Sequence, residues 1–161
     1  MPMTTEEFLQ NFVTYNEGIQ PIQVLLVIMA VIAVGLVFVK TKHGDRITGW
    51  ILGLLWLWTG LVYHINYFSA INPAAYLFGA VVTLEGVALL WAVGVKGNLS
   101  FNRRNTPSAW IGFAFVAYAL LIYPLLGYTV GHVYPQQPTF GAPCPTTIFT
   151  FGMLLPARGR A

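Results

Sequence analysis

From Pro21 to Val39 the chain reads Pro-Ile-Gln-Val-Leu-Leu-Val-Ile-Met-Ala-Val-Ile-Ala-Val-Gly-Leu-Val-Phe-Val, followed by Lys40-Thr-Lys-His-Gly-Asp-Arg46. An uncharged run of this length approaches the ~20 apolar residues that carry a helix across a hydrocarbon core. Proline at its start suits the first turn of a helix. Three further runs repeat the pattern, at about Ile47–Asn66, Pro73–Val95 and Ala109–Tyr128. None contains Lys, Arg or Asp, and only the third contains an acid, Glu85. The reading is all-α: an integral membrane helical bundle of four full spans, forming a single transmembrane domain over residues 1–161.

Composition agrees. Of 161 residues, 57% are hydrophobic and 8% charged, against roughly 25% charged in soluble domains. Mean hydropathy is +0.67. So few charges cannot clothe a soluble domain, which excludes a soluble enzyme, a disordered chain and a disulfide-rich secreted domain. The net charge of +3 does not indicate nucleic acid, because the basic residues lie in short loops rather than on one solvated face. The lone cysteine, Cys144, can form no disulfide within the chain. The first 20 residues carry Glu6, Glu7 and Glu17 and no Lys or Arg, the reverse of a secretory leader.

The positive charges orient the chain. Lys40, Lys42 and Arg46 follow the first run, and Lys96, Arg103 and Arg104 follow the third; Arg158 and Arg160 lie in the tail. Basic loops stay cytoplasmic. The N-terminus is therefore expected outside, as are Asn66–Asn72 and Thr129–Cys144. Trp50, Trp91 and Trp110 fall towards the inner ends, and Tyr63, Tyr67, Tyr123 and Tyr128 towards the outer ends, as interfacial belts do.

Before the first run, Thr4 and Glu7 have capping-box spacing. Phe8, Leu9, Phe12, Val13 and Tyr15 recur at helical spacing behind them. This predicts an N-terminal amphipathic helix, lying in the outer interface or packed on the outer end of the bundle. Glycine pairs Gly49/Gly53 and Gly127/Gly131, with Gly53/Gly60 and Gly79/Gly86 a heptad apart, predict close helix packing within the bundle.

After Pro145, Thr146–Leu155 predicts a short fifth helix of about 15 Å, half a span. Arg158 and Arg160 would then sit halfway across a bilayer, which is costly. The expectation is a truncated fifth helix or a tail that snorkels. Between Thr129 and Thr146 come four prolines and two glycines and no Asp, Glu, Lys or Arg. Such a segment cannot be regular helix. It is expected to cap the bundle or to dip into it, and any binding site is expected beneath it.

Two sets of residues could carry chemistry. Glu85 lies near mid-membrane depth, and an ionisable group there points to proton or cation handling, or to a neutral strut between helices. Thr59 and Tyr118 lie at similar depth, and Glu85 is expected to be protonated and bonded to a neighbour. His64, His132 and Cys144 share the outer face and are metal-ligating types. Their spacing matches no metal motif. His43, in the basic loop, reads as solvated.

Tyr123-Pro-Leu-Leu-Gly127, Gly131-His132 and the run Pro138-Thr-Phe-Gly-Ala-Pro-Cys-Pro-Thr-Thr-Ile-Phe-Thr-Phe-Gly152 resemble a family of bacterial integral membrane proteins known only as a domain of unknown function. So do Asn72-Pro-Ala-Ala-Tyr-Leu-Phe-Gly79, Leu55-Trp-Leu-Trp58 with Tyr63-His64, and Glu7-Phe8 with Tyr15-Asn16. The resemblance implies a six-helix protein of the bacterial inner membrane and hands over no catalytic residue. The ending Arg158-Gly-Arg-Ala departs from that pattern, again suggesting truncation.

Two functional classes follow. One is a non-enzymatic small-ligand binding or transport component, or an accessory subunit of a membrane complex. Its partners would be the lipid bilayer and a second copy or a complex subunit, not nucleic acid. The other is a metal- or haem-binding redox protein using His64, His132 and Cys144. No cofactor is named by the sequence itself.

Overall fold

The computed structural model describes residues 4–39, 41–102, 105–129, 131 and 133–160. Among them the chain forms six helices: α1 (Thr5–Gly18), α2 (Ile22–Phe38), α3 (Gly44–Ala70), α4 (Ala75–Val95), α5 (Pro107–Thr129) and α6 (Pro143–Leu154). The fold is all-α. Helices α3, α4 and α5 are long and apolar enough to cross a membrane, and α1 with α2 forms a pair bent by 85°. Leu77, Leu84, Trp110 and Leu121 are each more than 60% exposed, so the long helices present an apolar belt outward.

The capping box of α1 is present. Glu7 N–H donates to Thr4 Oγ1 at 3.2 Å, and Thr4 N–H to Glu7 Oε2 at 2.8 Å. Asn11, Phe12, Tyr15 and Asn16 form the buried stripe of α1. Their spacing puts them on one face, and that face seats on the end of α3: Tyr15 meets the Tyr63 and Tyr67 rings edge-on, and Phe12 stacks on Tyr63. Glu6, Glu7, Gln10 and Glu17 stay exposed on the other side. Of the two placements expected for this helix, α1 takes the one packed on the bundle.

Helix α3 is the hub. It meets α4 through three glycine pairs in antiparallel register. A Cβ at Gly49 would lie 2.6 Å from Gly94 N, one at Gly53 2.9 Å from Gly86 O, and one at Gly60 2.9 Å from Gly79 O. Such spacing lets two backbones touch, the contact that apolar surroundings cannot otherwise drive. Gly112 and Gly152 do the same between α5 and α6. Three stretches, Trp58–Tyr67, Leu90–Val95 and Tyr118–Ile122, are wound as wider π-turns. In α3 this winding continues the helix to Ala70, past the expected end at Asn66.

The last helix is short, as expected. Helix α6 is about 18 Å long, and Arg158 and Arg160 lie beyond it. The segment before α6 descends along α3, so that Gly141 O accepts from Thr59 Oγ1 at 3.1 Å and Trp56 Nε1–H donates to Thr150 Oγ1 at 2.9 Å. The tail then leaves α6 extended. Its strand β2 (Arg158–Gly159) pairs antiparallel with β1 (Leu99–Ser100). Arg160 N–H donates to Asn98 O at 2.7 Å, and its guanidinium pairs with the Asp45 carboxylate. Asp45 Oδ1 also accepts from Phe101 N–H at 2.7 Å. Helix α6 and the extended tail together reach the end of the bundle that carries Arg46 and Lys96. Lys40, Arg103 and Arg104, used in reading orientation, lie outside the described residues.

Candidate functional site

Opposite the basic end, residues 133–142 form a cap held by one asparagine. Asn16 faces inward from α1 with no exposed surface. Its Nδ2 donates to Pro135 O at 2.7 Å and to Gln137 O at 2.8 Å, and its Oδ1 accepts from Thr139 Oγ1 at 2.5 Å. Prolines 135 and 138 deprive this segment of donors, so its carbonyls must be satisfied from outside, and the Asn16 amide does so.

The cap turns into α6 at Gly141, which has φ +102°. A Cβ there would strike Leu26 Cδ1 at 2.5 Å and Tyr15 Oη at 2.9 Å, so both the backbone and the space require glycine. Gly141 N–H donates to Thr146 Oγ1 at 3.2 Å. Below it, Trp58 Nε1–H donates to Tyr15 Oη at 2.9 Å. Burial raises the Tyr15 phenol above its usual range, so it serves there as a neutral acceptor.

Two neighbouring spaces lie between α2 and α5, the smaller of them against the cap. The larger, about 750 Å³, is a groove between α2 and α5, walled by Val27, Val31 and Val34 on one side and Val116, Ala117 and Leu120 on the other. Phe38 stacks on Phe113 at 5.4 Å, and both line the groove towards the basic end, where Asn105 and Trp110 also border it. The smaller, about 270 Å³, lies under the edge of the cap against Gln23, Pro124, Tyr134, Gln137 and Thr139. Val27 and Leu120 line both. Gln137 is 8% exposed, and its Oε1 is buried without a hydrogen-bond partner.

The residues singled out from sequence do not gather in one place. Thr59 is buried beneath the cap, its hydroxyl donating to Leu55 O and Gly141 O. Tyr118 is half-buried on α5, its ring edge-on to Tyr123 at 6.0 Å. Glu85 is exposed on α4 and makes no hydrogen bond to a described residue. The expected bond to Thr59 or Tyr118 is not made. Equal depth gave no azimuth: Glu85 precedes Gly86, which packs on Gly53 and Leu57, and its side chain points away from that contact.

His64 is buried, and its Nδ1 lies 2.9 Å from Thr59 O. A carbonyl can only accept, so Nδ1 carries the proton and Nε2 is left as an acceptor. Its ring is edge-on to Tyr63 and Phe68. Cys144 is exposed in the first turn of α6. His132 lies outside the described residues. Among the described residues no three His, Cys, Asp or Glu side chains are grouped to hold a metal ion.

Asn16, Tyr15, Trp58, Gly141 and Gln137 were not singled out as site residues. Asn16 had one signal: a polar residue on the apolar stripe of an amphipathic helix. The model of one family, described as a family of unknown function (DUF6064), matches residues 5–161. The chain belongs to that family. The match covers nearly the whole chain, the cap and both helices of the groove included. No curated protein and no solved structure matches the chain.

Proposed function

We propose that this DUF6064 protein is a single-domain, non-enzymatic membrane protein of the bacterial inner membrane that binds the hydrocarbon chain of a lipid-like ligand between α2 and α5. The cap and α1 face outward in this reading, and the basic end faces the cytoplasm. Support for the orientation comes from the distribution of charge: Glu6, Glu7 and Glu17 sit on α1, and Arg46, Lys96 and Arg160 at the opposite end.

The observation that carries the function is the apolar groove. Its volume of about 750 Å³ falls in the roughly 300–1,000 Å³ range of ligand sites. Aliphatic side chains of both helices wall it, and Phe38 and Phe113 line it towards the basic end, so a linear chain would lie along it. The redox alternative draws no comparable support: among the described residues no three His, Cys, Asp or Glu side chains are grouped to hold a metal ion.

The test is lipid retention. Purified protein is washed through a delipidating detergent, and bound lipid is counted by native mass spectrometry. Wild type is expected to keep a stoichiometric hydrocarbon ligand, and Val31→Trp and Ala117→Trp, which fill the groove, to lose it. Equal retention by wild type and both variants would remove the groove from the account, and so would no retention by wild type.

A further inference from the structure

We propose that the small cavity under the cap binds an uncharged, hydroxyl-bearing head of a long-chain lipid, held by the side-chain amide of Gln137. This rests on the groove reading above and adds the chemistry of the head.

Three observations support the assignment. First, Gln137 is a polar side chain more than nine-tenths buried, lines the cavity, and makes no hydrogen bond to a described residue. Buried amides are ordinarily paired, so an orphan beside a cavity marks where a partner belongs. Its main chain is pinned by Asn16 Nδ2, so the segment is not free to turn the amide out to water.

Second, the cavity lining carries no Asp, Glu, Lys, Arg or His among the described residues. A carboxylate, phosphate or ammonium head would lose its water there and gain no opposite charge. A neutral head avoids that cost.

Third, the other side-chain donors nearby are already engaged. Thr139 Oγ1 donates to Asn16 Oδ1. Gln20 and Gln23 both donate to Tyr134 Oη. The Gln137 amide is left, one oxygen acceptor and one NH2 donor. The oxygen is enclosed, so a hydroxyl group would accept from the NH2 and donate to the oxygen once the amide turns towards the cavity. An ester or ether oxygen could only accept. Val27 and Leu120 line both the cavity and the groove, which places head and chain end to end. The fitting class is a long-chain alcohol or a mono- or diacylglycerol.

The experiment uses the full chain in detergent with a diazirine-bearing C16 alcohol. The probes for comparison are the same chain as a carboxylate at pH 8 and as a methyl ether. Labelling is read by intact mass, and its position by peptide mapping. The alcohol is expected to label wild type about five- to tenfold more than either comparison probe, the effect of one buried hydrogen bond, with the head mapping to residues 134–140. Gln137→Leu is expected to drop alcohol labelling to the ether's level while chain labelling on α2 and α5 persists. Ala117→Trp is expected to abolish labelling by all three.

Equal labelling by alcohol and ether in wild type would overturn the head assignment, whatever Gln137→Leu does; chain labelling still lost in Ala117→Trp would then leave the groove standing. A carboxylate preference would overturn it too. Labelling untouched by Ala117→Trp would overturn the groove reading itself. The wild-type comparison needs no variant, so a failure of Gln137→Leu to fold does not decide the matter.

Discussion

Replacing Asn16 by leucine should undock the cap without unfolding the bundle. The side chain is wholly buried and makes three hydrogen bonds, to Pro135 O, Gln137 O and Thr139 Oγ1. Leucine is close in volume, so little cavity is created, and the loss is one of pairing. At about 1 kcal/mol net for each bond, the cap loses about 3 kcal/mol of docking free energy, roughly two orders of magnitude in the docked-to-open ratio. The two carbonyls cannot stay buried and bare, so the cap relieves them by opening to solvent. Amide hydrogen exchange reads this directly. Gly141 and Ala142 N–H, bonded to Thr146 Oγ1 and Thr139 O, should exchange about 100-fold faster in Asn16→Leu. Amides of α3 and α4 around Gly53 and Gly86 should not change, because local openings are independent of the rest of the fold. Unchanged exchange at Gly141 and Ala142 would refute the claim that Asn16 holds the cap. Equal acceleration throughout would show instead that α1 is part of the global core.

Gly53→Val should destabilise the bundle by about 1–3 kcal/mol through overpacking, since a Cβ there meets Leu90 Cγ at 2.5 Å. Gly35→Ala, where a Cβ meets nothing within 4 Å, should be neutral or slightly stabilising in the same thermal melts. Glu85→Leu should leave the melting temperature unchanged or raise it and should favour membrane insertion by roughly 3 kcal/mol, on the scale that separates an acid from leucine at a helix centre; a fall in melting temperature would reveal a partner for Glu85. Asp45→Ala removes the acceptor for both Phe101 N–H and Arg160, so trypsin should cut at Arg158 and Arg160 several-fold faster. Glu7 is held below its usual 4.5 by bonds from Thr4. Its contribution to capping α1 should therefore be present above pH 4.5 and fade as pH falls through the lowered value, a transition visible by NMR and absent in Glu7→Gln.

Much of this fold was legible because its signals are local. Uninterrupted apolar runs gave the long helices within a few residues, and Thr4 with Glu7 gave the start of α1. The glycine spacings 53/60 and 79/86 reappear as the contact between α3 and α4. Signals that depend on distant residues were not legible. The cap is organised by Asn16, more than a hundred residues earlier in the chain. The reach of the tail depends on how far the cap descends along α3, which helix length alone could not show. Glu85 turns to the exposed face of α4, which a count of residues from a boundary could not show, since it contains no azimuth. The π-turns at Trp58–Tyr67 lengthen α3 through main-chain bonding that side-chain periodicity does not encode. Proline and glycine content did mark residues 129–146 as irregular, the region where the candidate site is drawn. Its central polar residue, Gln137, carried no sequence signal, because its meaning lies in having no partner.

The most direct measurement is a high-resolution structure of the protein in lipid nanodiscs, examined between α2 and α5. The account predicts one continuous elongated density running from the Phe38–Phe113 stack to the cap, ending within hydrogen-bond distance of the Gln137 amide. An empty groove closed by α2 moving onto α5, or a groove occupied by a protein helix, would contradict it.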